Sequence, residues 1–236
     1  MCGAIAHVTA RTLEELLMSE FHDGAVEIGK CLRGIIEFCQ EYQGEINVLG
    51  EMFLDGSIVN QVIEPLVRVG WYPNFQSPTS VIVVDEKIDE KMREHFYRDW
   101  DELLSSLFTN YAHRAKFIDR AAERHSSGDY ISSVPLFITQ IDGICHEHFG
   151  ASYFSNFWTM KNEIDNTEQK QDIIRQAMFE ALRQKPKMLT TNSNEIAPKR
   201  DGIMHGIAQF LDYDDEISSL KAFSLLAFVD TCINHG

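Results

Sequence analysis

Between Ala197 and Gly206 the chain places a cation, a carboxylate and an imidazole within six residues: Arg200, Asp201 and His205. A guanidinium offers a planar fork of donors that fits phosphate oxygens two at a time. An imidazole titrates near neutrality and can take or give a proton. Pro198, acceptable in a first helical turn, and the apolar Ile203, Met204 and Ile207 predict that a helix begins here. Arg200 then stands near the positive end of the helix dipole, where free backbone N–H groups favour an anion such as phosphate. Asp201 and His205, four apart, share a helix face, so the carboxylate is expected to hold the ring's tautomer and orientation. Arg200 and His205, five apart, lie about 140° from each other around an ideal helix. Converging on one phosphate therefore requires a bent first turn, or two copies of the motif meeting.

Two further polar groups sit in the apolar run Leu136–Ile144. Gln140 and Asp142 either orient the motif's polar groups from a facing helix or serve as hydrogen-bonded core polar residues, since a buried carboxylate needs a partner in both cases. Cys145-His146-Glu147-His148 supplies metal-ligand residue types, but consecutive helix residues point apart and no zinc-finger or His-Glu-x-x-His spacing is present. No metal is expected there. Without a Walker loop or a dinucleotide glycine fingerprint, no cofactor is expected either.

The elements that must position these groups read as helices. Thr12 to Glu15 fits a capping box opening a helix through Leu16, Leu17 and Phe21, and a second helix follows over Val26–Phe38 despite its glycines. Residues 45–72 read as one or two short helices broken near Gly56 and Pro65. Trp71 to Pro78 is a connector whose aromatic rings either fill the core or take a partner. Val81–Val84 fits a short strand or a lead into the next helix. From Asp85 a stripe of Ile88, Met92, Phe96, Trp100, Leu103, Leu107 and Tyr111 runs at three- and four-residue steps, continuing through Ile118 to Ala122. A helix of forty residues is unusual, which predicts a break near Asn110 to His113. A helix over 130–148, apolar all round from Ile131 to Ile144, has Pro135 expected in its first turn. Another spans 171–184, and a closing helix follows Asp214 or Asp215 as N-cap.

Composition bounds the rest. The 236 residues are 44% hydrophobic, enough for a sizeable core. No run of about 18 apolar residues occurs, so no membrane span is expected. The first residues lack the pattern of a secretory signal, and five scattered cysteines suit reduced thiols, so a cytoplasmic protein is expected. A formal net charge of −15 argues against broad nucleic-acid binding while leaving room for a local basic site.

The motif resembles the signature of the HEPN superfamily of small all-helical proteins: Arg200, a polar residue, three more, His205, then Gly206. Gly128-Asp129-Tyr130 leading into Leu136–Ile144, and the apolar last helix, are similar to that family as well. The likeness covers residues 86–236, which implies a HEPN-like helical domain there and an N-terminal helical extension over 1–85. It implies a metal-independent endoribonuclease of the toxin–antitoxin or phage-defence type. Such proteins work as homodimers in which two motifs meet at one cleft, Arg200 on the scissile phosphate and His205 assisting proton transfer from the ribose 2′-OH. RNA is then the substrate, and an antitoxin or defence-system protein a partner. Some HEPN proteins carry a modifiable Tyr two positions after the His, where this chain has Ile207. The alternatives are a catalytically inactive HEPN-like protein binding a nucleotide or protein, and an unrelated acidic helical interaction module.

Overall fold

The computed structural model describes residues 62–73, 84–154 and 200–234, with the single positions 159 and 162. The chain divides into two compact units, residues 1–50 and 51–236, and all described residues fall in the second. Every regular element among them is helical, as the periodicity predicts. None of these helices is long and apolar enough to cross a membrane. The helices expected over 12–38 and 171–184, and Val81–Val83, lie outside the described residues.

Helix α1 (Glu64–Arg68) carries Pro65 at its second position, straight after a π-helical turn at residues 62–63. Gly70 takes φ 86°, and the chain turns inward so that Trp71 and Tyr72 are 0% and 1% exposed. Trp71 stacks on Phe96 with centroids 5.9 Å apart and donates from Nε1 to Asp89 Oδ1 at 2.7 Å. Tyr72 meets Phe228 at 5.7 Å. These two rings of the connector fill the core. The boundary expected at 85/86 therefore has packed core residues on its N-terminal side.

The long stripe is three helices, α2 (Ile88–Arg98), α3 (Trp100–Asn110) and α4 (Ala115–Ser126). The break at Tyr111, followed by a 3-10 turn over Ala112–Arg114, falls where it was expected. A second break at Asp99 (φ −101°, ψ 7°) was not, because Phe96, Trp100 and Leu103 keep helical spacing straight through it. Gly128 (φ 76°) ends α4's exit turn, and the Asp129 carboxylate accepts from Ser132 N at 3.3 Å to cap the next helix.

Helix α5 (Tyr130–Phe149) packs between α4 and the closing helix α7 (Glu216–Asn234). Being covered on two sides within its own chain explains its all-round apolar sequence. Pro135 is the sixth residue of α5, not part of its first turn as expected. Its ring removes the bond to the Ile131 carbonyl, and Ile131 is 58% exposed, which puts that carbonyl at a solvent-facing residue. Gly150, φ 72°, terminates α5 in the left-handed conformation common after helices.

Of the two candidate caps for α7 it is Asp215 that acts, accepting from Ser218 N at 2.9 Å and Ser218 Oγ at 2.6 Å. From Ser218 to Cys232 every residue of α7 is buried. Phe223 is its hub, within 4.3 Å of Trp100, 5.4 Å of Phe137 and 6.1 Å of Phe96 between ring centroids. So complete a burial takes in polar groups, and each finds partners. Lys221 Nζ lies 3.4 Å from Asp89 Oδ1 and over the Trp71 ring. Asp230 accepts from Ser106 Oγ at 3.0 Å, Asn110 Nδ2 at 2.9 Å and Asn234 Nδ2 at 2.8 Å.

Candidate functional site

The motif helix ends sooner than its sequence suggests. Among the described residues helix α6 runs over Arg200–Met204. Gly206, at φ 63°, stops it: Gly206 N donates to Ile203 O at 3.0 Å and Ile207 N to Gly202 O at 2.9 Å. That pair of bonds is a Schellman motif with His205 as C-cap and Gly206 at C′. The glycine following the histidine is thus a helix-stop signal. Gly202 is needed for a different reason, since a Cβ there would lie 2.2 Å from Phe210 Cδ2. Phe210, in the 3-10 turn Ala208–Phe210, is pressed against α6.

Arg200, Asp201 and Asp142 come together. Arg200 donates from Nη1 to Asp201 Oδ1 at 2.7 Å and from Nη2 to Asp142 Oδ2 at 3.3 Å, with its guanidinium carbon 5.6 Å from the Phe154 ring centre. The two carboxylates differ in support. Asp142, on α5, also accepts from Ser152 Oγ and from Phe154 N at 3.4 Å, so the turn after Gly150 wraps it. Asp201 is anchored by Arg200 alone among the described residues, and its side chain is 45% exposed against 22% for Asp142.

His205 and Gln140 stand apart from this cluster. The His205 backbone N donates to Asp201 O at 3.0 Å, but the Asp201 carboxylate is turned to Arg200, and the His205 ring has no polar partner among the described residues. The expected Asp201–His205 side-chain pair is absent: the backbone keeps the two residues one helical turn apart, and the Asp201 carboxylate pairs with Arg200 instead. Gln140 Oε1 accepts from Arg114 Nη1 at 3.1 Å instead. Arg114 also grips Glu147 in a two-pronged contact, Nε to Oε2 at 3.0 Å and Nη2 to Oε1 at 2.6 Å, and His113 reaches Glu147 Oε2 at 3.0 Å. The Arg114 guanidinium holds the Glu147 carboxyl down at about 2. Arg114 passes so close to Gly143 that a Cβ there would sit 2.5 Å from Nη1, which gives that glycine its reason. In the Cys145–His148 run, Cys145 is buried while His146, Glu147 and His148 are exposed. Among the described residues no group of three ligand side chains is placed for a metal.

The polar cluster that sequence reasoning missed surrounds His125. The ring is 2% exposed, its Nδ1 lies 2.9 Å from Ser219 Oγ and its Nε2 3.0 Å from Tyr97 Oη. Tyr97 donates onward to Glu216 Oε1 at 2.5 Å, and Ser133 Oγ joins Ser219 Oγ at 2.6 Å. Trp100 stacks on the ring at 4.9 Å. The signal was available: His125 continues the Ile118, Ala121, Ala122 stripe by one more helical step.

Chemically, then, one partly exposed guanidinium stands between a buttressed carboxylate and a half-exposed one, one turn before an exposed imidazole. Comparison of the chain with protein-family models, with curated proteins and with solved structures returns no match.

Proposed function

We propose that this chain is a HEPN-type, metal-independent endoribonuclease of toxin or phage-defence kind. It works in the cytoplasm as a homodimer whose active cleft is built from two copies of the Arg200–His205 motif. The observation that carries the reading is the docking of Arg200 onto Asp142 of the central helix, which fixes the motif's arginine against α5 while leaving His205 on an exposed helix end. The contacts of Arg200 are to Asp201 and Asp142, not to His205, and in this reading a second copy supplies the partner each group needs. Met204, Ile207 and Leu211, 41%, 44% and 55% exposed beside His205, offer that copy apolar surface. In the cleft, Arg200 would hold a phosphate by its fork of donors. His205 would assist proton transfer from the attacking 2′-OH.

Incubation with total RNA, with and without EDTA, tests this. Cleavage by wild type in both conditions, lost in Arg200→Ala and His205→Ala, is the expected result. A lost catalytic histidine typically costs about 10²–10⁴ in rate. RNA left intact by wild type sinks the nuclease reading.

A second reading, a catalytically silent member that binds a nucleotide or a protein, is favoured by one observation: both contacts of Arg200 are to carboxylates. Binding of a partner without RNA cleavage would establish it.

A further inference from the structure

Arg200 already has one donor on each of its Nη atoms engaged, and the two carboxylates that take them are not equivalent. Asp142 is fixed by three donors: Arg200, the Ser152 hydroxyl and the Phe154 amide. Asp201 is a chain neighbour of Arg200, twice as exposed as Asp142, and no other side chain holds it among the described residues. A guanidinium has five N–H donors. The Nη2 edge faces α5 through Asp142, while the Nη1 edge carries Asp201, the carboxylate able to rotate away. An arriving phosphate oxygen and the Asp201 carboxylate are chemically alike as acceptors, and they compete for the same donor.

From this we infer that Asp201 is a removable internal cover on the anion-binding edge of Arg200, and that Asp142 is the permanent strut holding that edge in place. A phosphate group, of RNA or free, takes the Nη1 donor as Asp201 swings into solvent, and Asp142 stays. The cover keeps stray anions from the arginine, and RNA must supply enough further contact to displace it. This rests on the nuclease reading for its biological ligand, but the exchange of one anion for another does not.

The test is binding, on the full chain. Inorganic phosphate is titrated while the Arg200 Nε–H resonance is followed by NMR. A uridine hexamer carrying 2′-O-methyl groups, which cannot be cleaved by 2′-OH attack, is titrated by fluorescence anisotropy. Asp201→Asn keeps the side chain's shape and removes its charge, and should tighten both by about fivefold, the scale of one exposed ion pair. Asp142→Asn should give no such gain, and adding Arg200→Ala to Asp201→Asn should erase it. Asn at 201 that leaves phosphate affinity unchanged or weaker overturns the cover. So does an equal gain from Asp142→Asn, which would make the two carboxylates interchangeable. A gain for phosphate with no binding of the hexamer by any variant keeps the cover and removes the nuclease reading. Ser152→Ala is the second probe of the strut: it should loosen Asp142 and lower phosphate affinity in the Asp201→Asn background, and no change there removes the strut role.

Discussion

His125 and Ser219, ninety-four residues apart in sequence, meet at 2.9 Å between Nδ1 and Oγ inside the core. The direction of that bond follows from its neighbours. Tyr97 spends its one proton on Glu216, so its oxygen must accept from His125 Nε2–H. Nδ1 is then the acceptor and Ser219 the donor, and the ring is neutral. Burial pushes the His125 imidazole down to about 4 from its ordinary 6.5. Because the folded value is the lower one, the unfolded chain takes up the proton first as pH falls. The contribution is complete above pH 6.5 and is lost between there and about 4. Urea unfolding at pH 7 and pH 5 should differ by ~2 kcal/mol on this account. His95, also buried and also pushed down to about 4, should add a similar slope. In His125→Gln the pH dependence should flatten, and an undiminished slope would assign it elsewhere.

The Arg200–Asp142 contact is open to a double-mutant cycle. Both side chains are about a quarter exposed, at 28% and 22%, so solvent screens the pair. A coupling of ~0.5–1 kcal/mol is expected from Arg200→Ala, Asp142→Asn and the double variant in urea unfolding. A coupling near zero would mean that α6 is held to α5 by other contacts.

The two glycines of the motif should respond differently to alanine. Gly202→Ala drives a methyl group into the Phe210 ring and should cost roughly 1–3 kcal/mol, as overpacking does. Gly206→Ala meets no atom within 4 Å, so only its φ of 63° counts, about 1–2 kcal/mol. Adding Phe210→Leu should recover part of the first loss and none of the second. Thermal unfolding of the four variants decides it, and equal recovery in both would show that ring contact is not the cause.

Light scattering at micromolar concentration should give about twice the 27.0 kDa chain mass if the proposed cleft forms. Since α4 and α7 already cover α5, the interface is expected on the segment from Met204 to Leu211 more than on the apolar run of α5. Leu211→Asp should shift the species toward monomer with the helical content unchanged. A monomer in wild type removes the two-copy cleft.

The helical periodicity of Ile88 to Leu107 was plain in the sequence, and so were the break near Asn110 to His113 and the closing helix after Asp215. What stayed hidden was geometry that no local pattern records. The break at Asp99 leaves the apolar stripe intact, so the hydrophobic spacing passes over it. Gln140 and Asp142, two residues apart on α5, are carried to different partners, Arg114 and Arg200, because residues two apart on a helix point to well-separated directions. Asp201 is adjacent to Arg200 and four from His205, and helical spacing alone does not say which of the two its carboxylate takes. The role of Gly206 as a C′ residue, by contrast, was legible in principle. The partners of His125 were not, since Ser219 and Tyr97 come to it from α7 and α2.

The burial of α7 has a consequence for how the protein is made. Ribosomes release a chain from its N-terminus at ~5–20 residues per second, and helices that can pack begin to do so at once. Helices α4 and α5 are neighbours in the chain and can close on each other early. The face of α2 that meets α7, the second face of α5 and the ring of Tyr72 have no such early partner, because what covers them is residues 216–234. For the seconds between synthesis of α5 and of α7, those surfaces of the nascent chain stay uncovered by α7. Such a chain is expected to engage holding chaperones, and one truncated before residue 216 is expected to aggregate more readily than the full chain.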